Sequence, residues 1–101
     1  MEEIDRLLKI LGFAQRARKL SHGMDAALQA IMKGKAKVVL LATDLSENTR
    51  QKIESAALSF KVPIRTCGSK AAYGRALGRE ETGIIAVIDA MFAKSIIEIL
   101  G

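Results

Sequence analysis

Apolar residues recur along this chain in two alternating rhythms. Ile4, Leu7, Leu8 and Leu11 fall at the i, i+3, i+4, i+7 spacing of a helix face, with acids in the first turn that suit the helix dipole. This predicts a helix running through Gly12 to about Arg18, then a short edge strand at Leu20 and Ser21. Met24, Ala27, Leu28 and Ile31 repeat the helical spacing from Gly23 until Gly34 stops it. Val38 to Ala42 is a continuous apolar run, which suits a strand covered on both faces. Asp44-Leu45-Ser46 is a turn and N-cap signal before a third helix with Ile53, Ala56, Ala57 and Phe60 on one side. Val62-Pro63 ends that helix, because the residue before proline avoids α geometry. Ile64 to Thr66 then predicts a short strand, and Gly68-Ser69 a turn into a fourth helix bearing Ala72, Ala76 and Leu77. A charged loop from Gly78 to Gly83 leads to a buried strand, Ile84 to Ile88. Asp89 caps a last helix with Ala93, Ile96, Ile97 and Leu100 turned inward. Helices alternating with short strands in this way predict an α/β domain with helices on both faces of a central sheet.

At 101 residues the pattern fits a single domain, 1–101, with no linker and no internal repeat. Half of the chain is hydrophobic but only 4% is aromatic, so Ile, Leu, Val and Ala must build the core. No apolar run reaches membrane-spanning length, and the acidic opening, Glu2, Glu3 and Asp5, is unlike a signal peptide. The expectation is a cytoplasmic protein with no membrane partner.

Charge changes the picture further. The net charge is +5, and it is unevenly placed. Arg16 to Lys37 holds six basic residues against one acid, Asp25, and Lys61 to Arg79 holds five against none. If the fold joins the two segments, the result is the positive surface of a nucleic-acid binder.

Catalytic chemistry finds little support. A single cysteine, Cys67, excludes an intrachain disulfide and a cysteine-based zinc site, so no metal is expected. His22 is the one histidine and reads as a loop residue; a Cys67–His22 pair requires the fold to bring their loops together. The glycines match neither a P-loop nor a dinucleotide fingerprint, so no cofactor and no catalytic residue is expected. Asp44 and Asp89 read as caps. By contrast, Gly23 and Gly68 each open a helix, leave room for a partner backbone, and are flanked by cations. If adjacent, they form a cleft edge of free N–H groups with Lys19, Lys33, Lys70 and Arg75 at its rim. With Phe13 and Tyr73 read as core residues, stacking on a sheet is disfavoured, and shape reading of structured RNA fits better.

The residues that carry a resemblance are Gly23, the run Gly34-Lys35-Ala36-Lys37-Val38-Val39-Leu40-Leu41-Ala42-Thr43-Asp44, Val62-Pro63, and Ser69-Lys70-x-x-Tyr73-Gly74-x-Ala76-x-Gly78. Together, in this order, they resemble the ribosomal protein superfamily that binds kink-turn RNA. The Leu11 to Lys19 segment is most similar to its bacterial YlxQ-type branch. The resemblance implies a three-layer α/β/α sandwich around a four-stranded mixed sheet. It also implies an RNA site made by the start of the second helix and the loop before the fourth. In that family a Gly-x-Asn-Glu-x-x-Lys motif at the helix start grips sheared G·A pairs. Here the matching positions hold Gly23, Asp25, Ala26 and Gln29, beside Met24, and the second loop holds Thr66, Cys67, Gly68 and Ser69.

The expectation is a non-enzymatic, monomeric protein that binds structured RNA, ribosomal or kink-turn-like, with altered specificity. Ribosomal or assembly proteins are further partners. The alternatives are a protein-interaction module in ribonucleoprotein assembly and an enzyme or small-nucleotide binder that uses the Gly23 helix start.

Overall fold

A computed structural model describes residues 2–101. The order of elements is α1 (Glu3–Arg16), β1 (Leu20–His22), α2 (Met24–Met32), β2 (Val38–Leu41), α3 (Glu47–Ser59), β3 (Ile64–Thr66), α4 (Lys70–Leu77), β4 (Ile84–Val87) and α5 (Ala90–Leu100). The four strands form one sheet in the order β1-β4-β2-β3. β2 and β3 pair in parallel, while β4 lies antiparallel between β1 and β2. The chain is therefore the expected α/β sandwich around a mixed sheet.

Side chains alternate across the sheet, as strand geometry requires. Val38, Leu40, Ile85 and Val87 face a core with Leu7, Leu11, Tyr73, Leu77, Ala93 and Ile96 from α1, α4 and α5. Val39, Leu41, Ile84 and Ala86 face the other side and pack with Ala27, Ala30, Ile31, Ile53 and Ala57 from α2 and α3. Both central strands are buried along their whole length, which is why their sequences are continuously apolar.

The helix ends follow local chemistry. Ser46, Ser69 and Asp89 accept the N–H groups of Thr49, Ala72 and Phe92 and start α3, α4 and α5. Helices α1, α2, α3 and α4 all end in paired bonds of the Schellman type: Lys19 to Ala14, Lys35 to Ala30, Val62 to Ala57 and Arg79 to Gly74. That motif needs a left-handed residue. Glycine supplies it after α2 and α4, but Arg18 (φ 60°) and Lys61 (φ 57°) supply it after α1 and α3.

Several expectations need correction. α1 stops at Arg16, β2 at Leu41 and β4 at Val87. Phe13 is 53% exposed rather than in the core, and the Arg16 guanidinium lies over its ring at 4.9 Å. Phe60 is also exposed, because α3 ends at Ser59 and the chain turns before the next inward position. On α4 it is Tyr73 and Gly74, with Leu77, that are buried; Ala72 and Ala76 are only half-buried. Asp44 does not cap its own helix but accepts the N–H of Lys70, 3.0 Å away, at the start of α4.

Candidate nucleic-acid interface

Strand direction decides which loops meet. β1, β2 and β3 all run the same way, and β4 runs against them. His22-Gly23, Thr43-Asp44, Cys67-Gly68 and Gly83 therefore share one end of the sheet. Backbone bonds link them in series: Gly23 N–H to the Ile84 carbonyl, Ala42 N–H to the Gly83 carbonyl, and Thr43 N–H to the Gly68 carbonyl, each 2.9 Å. Gly23 and Gly68 stand on the two edge strands, three strand spacings or about 14 Å apart. The two loops share one end without touching. His22 and Cys67 stand equally far apart and form no nucleophile pair.

The two loops differ in what they offer. Gly23 (φ 90°) begins α2, and no side chain caps that helix. The Ala27 N–H is the first to be satisfied internally, by the Gly23 carbonyl, so the N–H groups of Met24, Asp25 and Ala26 face outward from the first turn. The Gly68 loop is tied down instead. Both the N–H and the hydroxyl of Thr43 donate to the Gly68 carbonyl, Asp44 takes the Lys70 N–H, and Ser69 takes that of Ala72. The expected row of free amides at this second helix start is thus mostly occupied.

Tyr73 holds the second loop from beneath. Its ring is fully buried, and its hydroxyl donates to the Cys67 carbonyl at 2.5 Å and sits 3.2 Å from the Cys67 Sγ. Burial first, then the bond with Cys67, pushes the phenol well above its ordinary range. Gly68 (φ 71°) lies on the same ring, where a Cβ would come within 2.9 Å. Sequence reading missed this strap, although the Cys67–Tyr73 spacing places a phenol one helical turn past the loop.

A groove of about 470 Å³ runs along α2 beside the β1 edge, from Asp25 toward Lys33 and Lys35. Asp25, Ala26, Gln29 and Lys33 line it with Ser21, Lys35 and Ile88. The i, i+4, i+8 spacing puts Asp25, Gln29 and Lys33 on one stripe. Met24 is half-buried and packs inward against the α2–α3 core. Across the end of the sheet, the stem of Lys70 lies against Gly83, where a Cβ would be 3.3 Å from its Cγ. Lys70 therefore sits between the two loops. His22 is half-buried beside Arg79, and burial followed by that positive charge holds its imidazole below the usual range.

The basic residues do not converge where expected. Lys70 and Arg79 stay at the Gly23 end, among Asp25, Asp44, Glu80 and Glu81. Lys19 sits at the opposite end, where its carbonyl accepts the Ile88 N–H, and Lys37 joins it there through a bond to the Val87 carbonyl. Lys33 and Lys35 close α2 at that same far end, and Lys61 follows α3 there. Arg75 is in the last turn of α4 rather than at its start. The shared positive patch at Gly23 and Gly68 is absent, because the turns that follow α1, α2 and α3, which carry Arg18, Lys19, Lys33, Lys35, Lys37 and Lys61, lie at the other end of the sheet.

Among the described residues no three His, Cys, Asp or Glu side chains are grouped to hold a metal ion, and no helix is long and apolar enough to cross a membrane.

Residues 5–97 match the family described as ribosomal protein L7Ae/L30e/S12e/Gadd45. The chain is 40% identical over 91 residues to the RNA-binding protein YlxQ of Bacillus subtilis, covering 90% of this chain and 91% of that protein. It is 30% identical over 95 residues to the RNA-binding protein YlxQ of Enterococcus faecium, covering 94% and 91%. Among solved structures, a Bacillus halodurans protein of unknown function superposes with a TM-score of 0.90 at 31% identity, covering 93% of this chain and 95% of that one. The Giardia lamblia 15.5kD RNA binding protein shares the fold, with a TM-score of 0.79 at 24% identity over 100% of this chain and 88% of its own.

Proposed function

This chain belongs to the ribosomal protein L7Ae/L30e/S12e/Gadd45 family, and from that premise we propose that it binds structured RNA through the α2 groove and the loop from Thr66 to Lys70. It is not an enzyme. The observation that carries the site is the uncapped start of α2, whose first turn adjoins a groove lined by Asp25, Ala26, Gln29 and Lys33. An RNA phosphate or base carbonyl satisfies those amides, and the helix dipole favours the negative group. Lys33 and Lys70 neutralise phosphates on either side, while the strapped loop of Thr66, Cys67, Gly68 and Ser69 presents a fixed wall.

The stripe also sets the base preference. Asp25 only accepts hydrogen bonds, Gln29 both donates and accepts, and Ala26 does neither. Such a set reads the exocyclic amino groups of cytosine and adenine rather than a guanine amino edge at Ala26. The proposed ligand is a kinked or bulged RNA, ribosomal in origin, other than one built on sheared G·A pairs. The proposed working state is a cytoplasmic monomer, with ribosomal or assembly proteins as further partners.

Titrating the protein with a kink-turn duplex and with ribosomal RNA fragments across salt tests this. Lys33→Ala and Lys70→Ala should each flatten the slope of log K against log salt by about 0.9 per lost phosphate contact. Asp25→Asn, Ala26→Glu and Gln29→Lys combined should gain affinity for the kink-turn duplex and lose it for the native target. No binding to any structured RNA, or slopes unmoved in both lysine variants, rejects the site.

A further inference from the structure

The far end of the sheet gathers six of the molecule's sixteen lysines and arginines outside the α2 groove's own Lys33. Arg16, Arg18, Lys19, Lys35, Lys37 and Lys61 are all exposed there. Strand order fixes their spread: Lys19 precedes β1, Lys37 precedes β2 two strand spacings away, and Lys61 lies just beyond the β3 end paired with β2. None of the six has a carboxylate within ion-pair distance, since the one ion pair among the described residues joins Arg50 to Glu47. The acid at this end, Asp89, is engaged in capping α5.

Helix C-termini alone do not explain the cluster. Three helices end here, and cations suit their dipoles. Yet the Schellman bonds already satisfy two of the terminal carbonyls of each helix. Moreover, Arg18 and Lys61 occupy left-handed backbone that glycine would fill without strain, as Gly34 does in α2. The fold thus holds charge at two positions where its own stability would favour losing the side chain.

Apolar surface accompanies the charge. Phe13, Met32, Leu58, Phe60 and Met91, the large apolar side chains left exposed, lie in the last turns of α1, α2 and α3, at the residue that follows α3, or in the first turn of α5, at this same end. The Phe13 ring lies under Arg16, while Phe60, 49% exposed, precedes Lys61 in the chain. Cations interleaved with exposed aromatic rings are the chemistry of an unpaired nucleic-acid strand, with phosphates on the cations and bases on the rings.

We propose that this end is a second RNA surface, which takes a single-stranded segment continuous with the structured RNA in the α2 groove. The groove leads there: it starts at Asp25 and finishes at Lys33 and Lys35, about 13 Å along α2. The class of partner rests on the RNA-binding reading above, but the surface is separate from the Gly23 site. It accounts for a puzzle of that site, whose surroundings are rich in acids. Structure in the RNA is read at the Gly23 end, and the electrostatic attraction is supplied from the far end.

The test uses two probes, a twelve-nucleotide oligouridylate and a structured kink-turn duplex without overhangs, with the full chain and an Arg18→Gly/Lys61→Gly variant. Glycine suits both backbone positions, so the variant folds at least as well as the parent. The parent should bind oligouridylate, and the variant should lose about 1.4 units of salt slope and bind about tenfold more weakly at 0.15 M salt. Duplex binding should change by less than twofold. Phe60→Ala should weaken oligouridylate binding without altering the salt slope. Equal binding and equal slopes for parent and variant overturn the proposal, as does a polyglutamate peptide of matched charge competing as well as the oligonucleotide. A parent that fails to bind the duplex but binds oligouridylate, with that binding weakened in the variant, overturns the Gly23 site and leaves this one standing.

Discussion

Removing the Tyr73 hydroxyl isolates the strap beneath the second loop. Tyr73→Phe keeps the buried ring and deletes the donor to the Cys67 carbonyl. An intramolecular hydrogen bond contributes about 1 kcal/mol net, and an acceptor left unsatisfied adds up to about 1 kcal/mol more where water enters only partly, as at half-buried Cys67. The loss at pH 7 is therefore about 1–2 kcal/mol, a fall in Tm of about 5–10 °C. The pH dependence makes the test sharper. In the folded protein the phenol is held above its ordinary value of 10.0, whereas in the unfolded chain it ionises there. The folded state thus binds more protons above pH 10, and this contribution to stability, complete below pH 10, falls by about 1.4 kcal/mol per pH unit beyond it. Tyr73→Phe has no such proton to lose. Urea titrations followed by circular dichroism suit both proteins, because the signal does not depend on the deleted phenol. The stability gap should persist from pH 7 to 9 and close near pH 11. A gap unchanged at pH 11 would mean that Tyr73 ionises freely in the fold, and the strap would be refuted.

Gly74→Ala places a Cβ 2.5 Å from the Glu80 carbonyl oxygen. The overpacking cost of about 1–3 kcal/mol exceeds the helix-propensity gain of about 1 kcal/mol, so calorimetry should show a lower Tm, not the rise an exposed helix would give. Lys61→Gly should work in the opposite sense, gaining about 0.5–1 kcal/mol by relieving the left-handed backbone, read as a higher urea midpoint. His22, held below its ordinary value of 6.5 by burial and Arg79, resists protonation in the fold while the unfolded chain accepts it. Its contribution is therefore present above pH 6.5 and lost as pH falls below it; His22→Gln should flatten the decline in Tm between pH 6.5 and 5.

Most elements were legible because their signals are local. Uniformly apolar β2 and β4 announced a sheet covered on both faces, and Ser46, Ser69 and Asp89 marked helix starts that their side chains do cap. Phe13 and Phe60 were misread because apolar character does not tell a core position from a turn that overruns the layer. The site was harder. Gly23 and the α2 stripe could be found from sequence, since a helix presents its own spacing. Where Lys19, Lys37 and Lys61 gather depends on strand direction, which no local pattern encodes. The same holds for the bond from Asp44 to Lys70, which spans 26 positions along the chain.

The placement of β4 bears on how the molecule comes into being. Residues 84–87 are the last of the sheet's four strands to leave a ribosome, yet β1 and β2 have no pairing with each other except through them. A nascent chain can form helices and the parallel β2–β3 pair, but it cannot join the two halves of its sheet until that segment emerges. Assembly is consequently late and governed by sequence-distant pairings, which slows it relative to a helical bundle of equal length. Until that moment Val38 to Leu41 remains an open, sticky edge, so fragments ending before Ile84 are expected to aggregate or be degraded instead of persisting as smaller working domains.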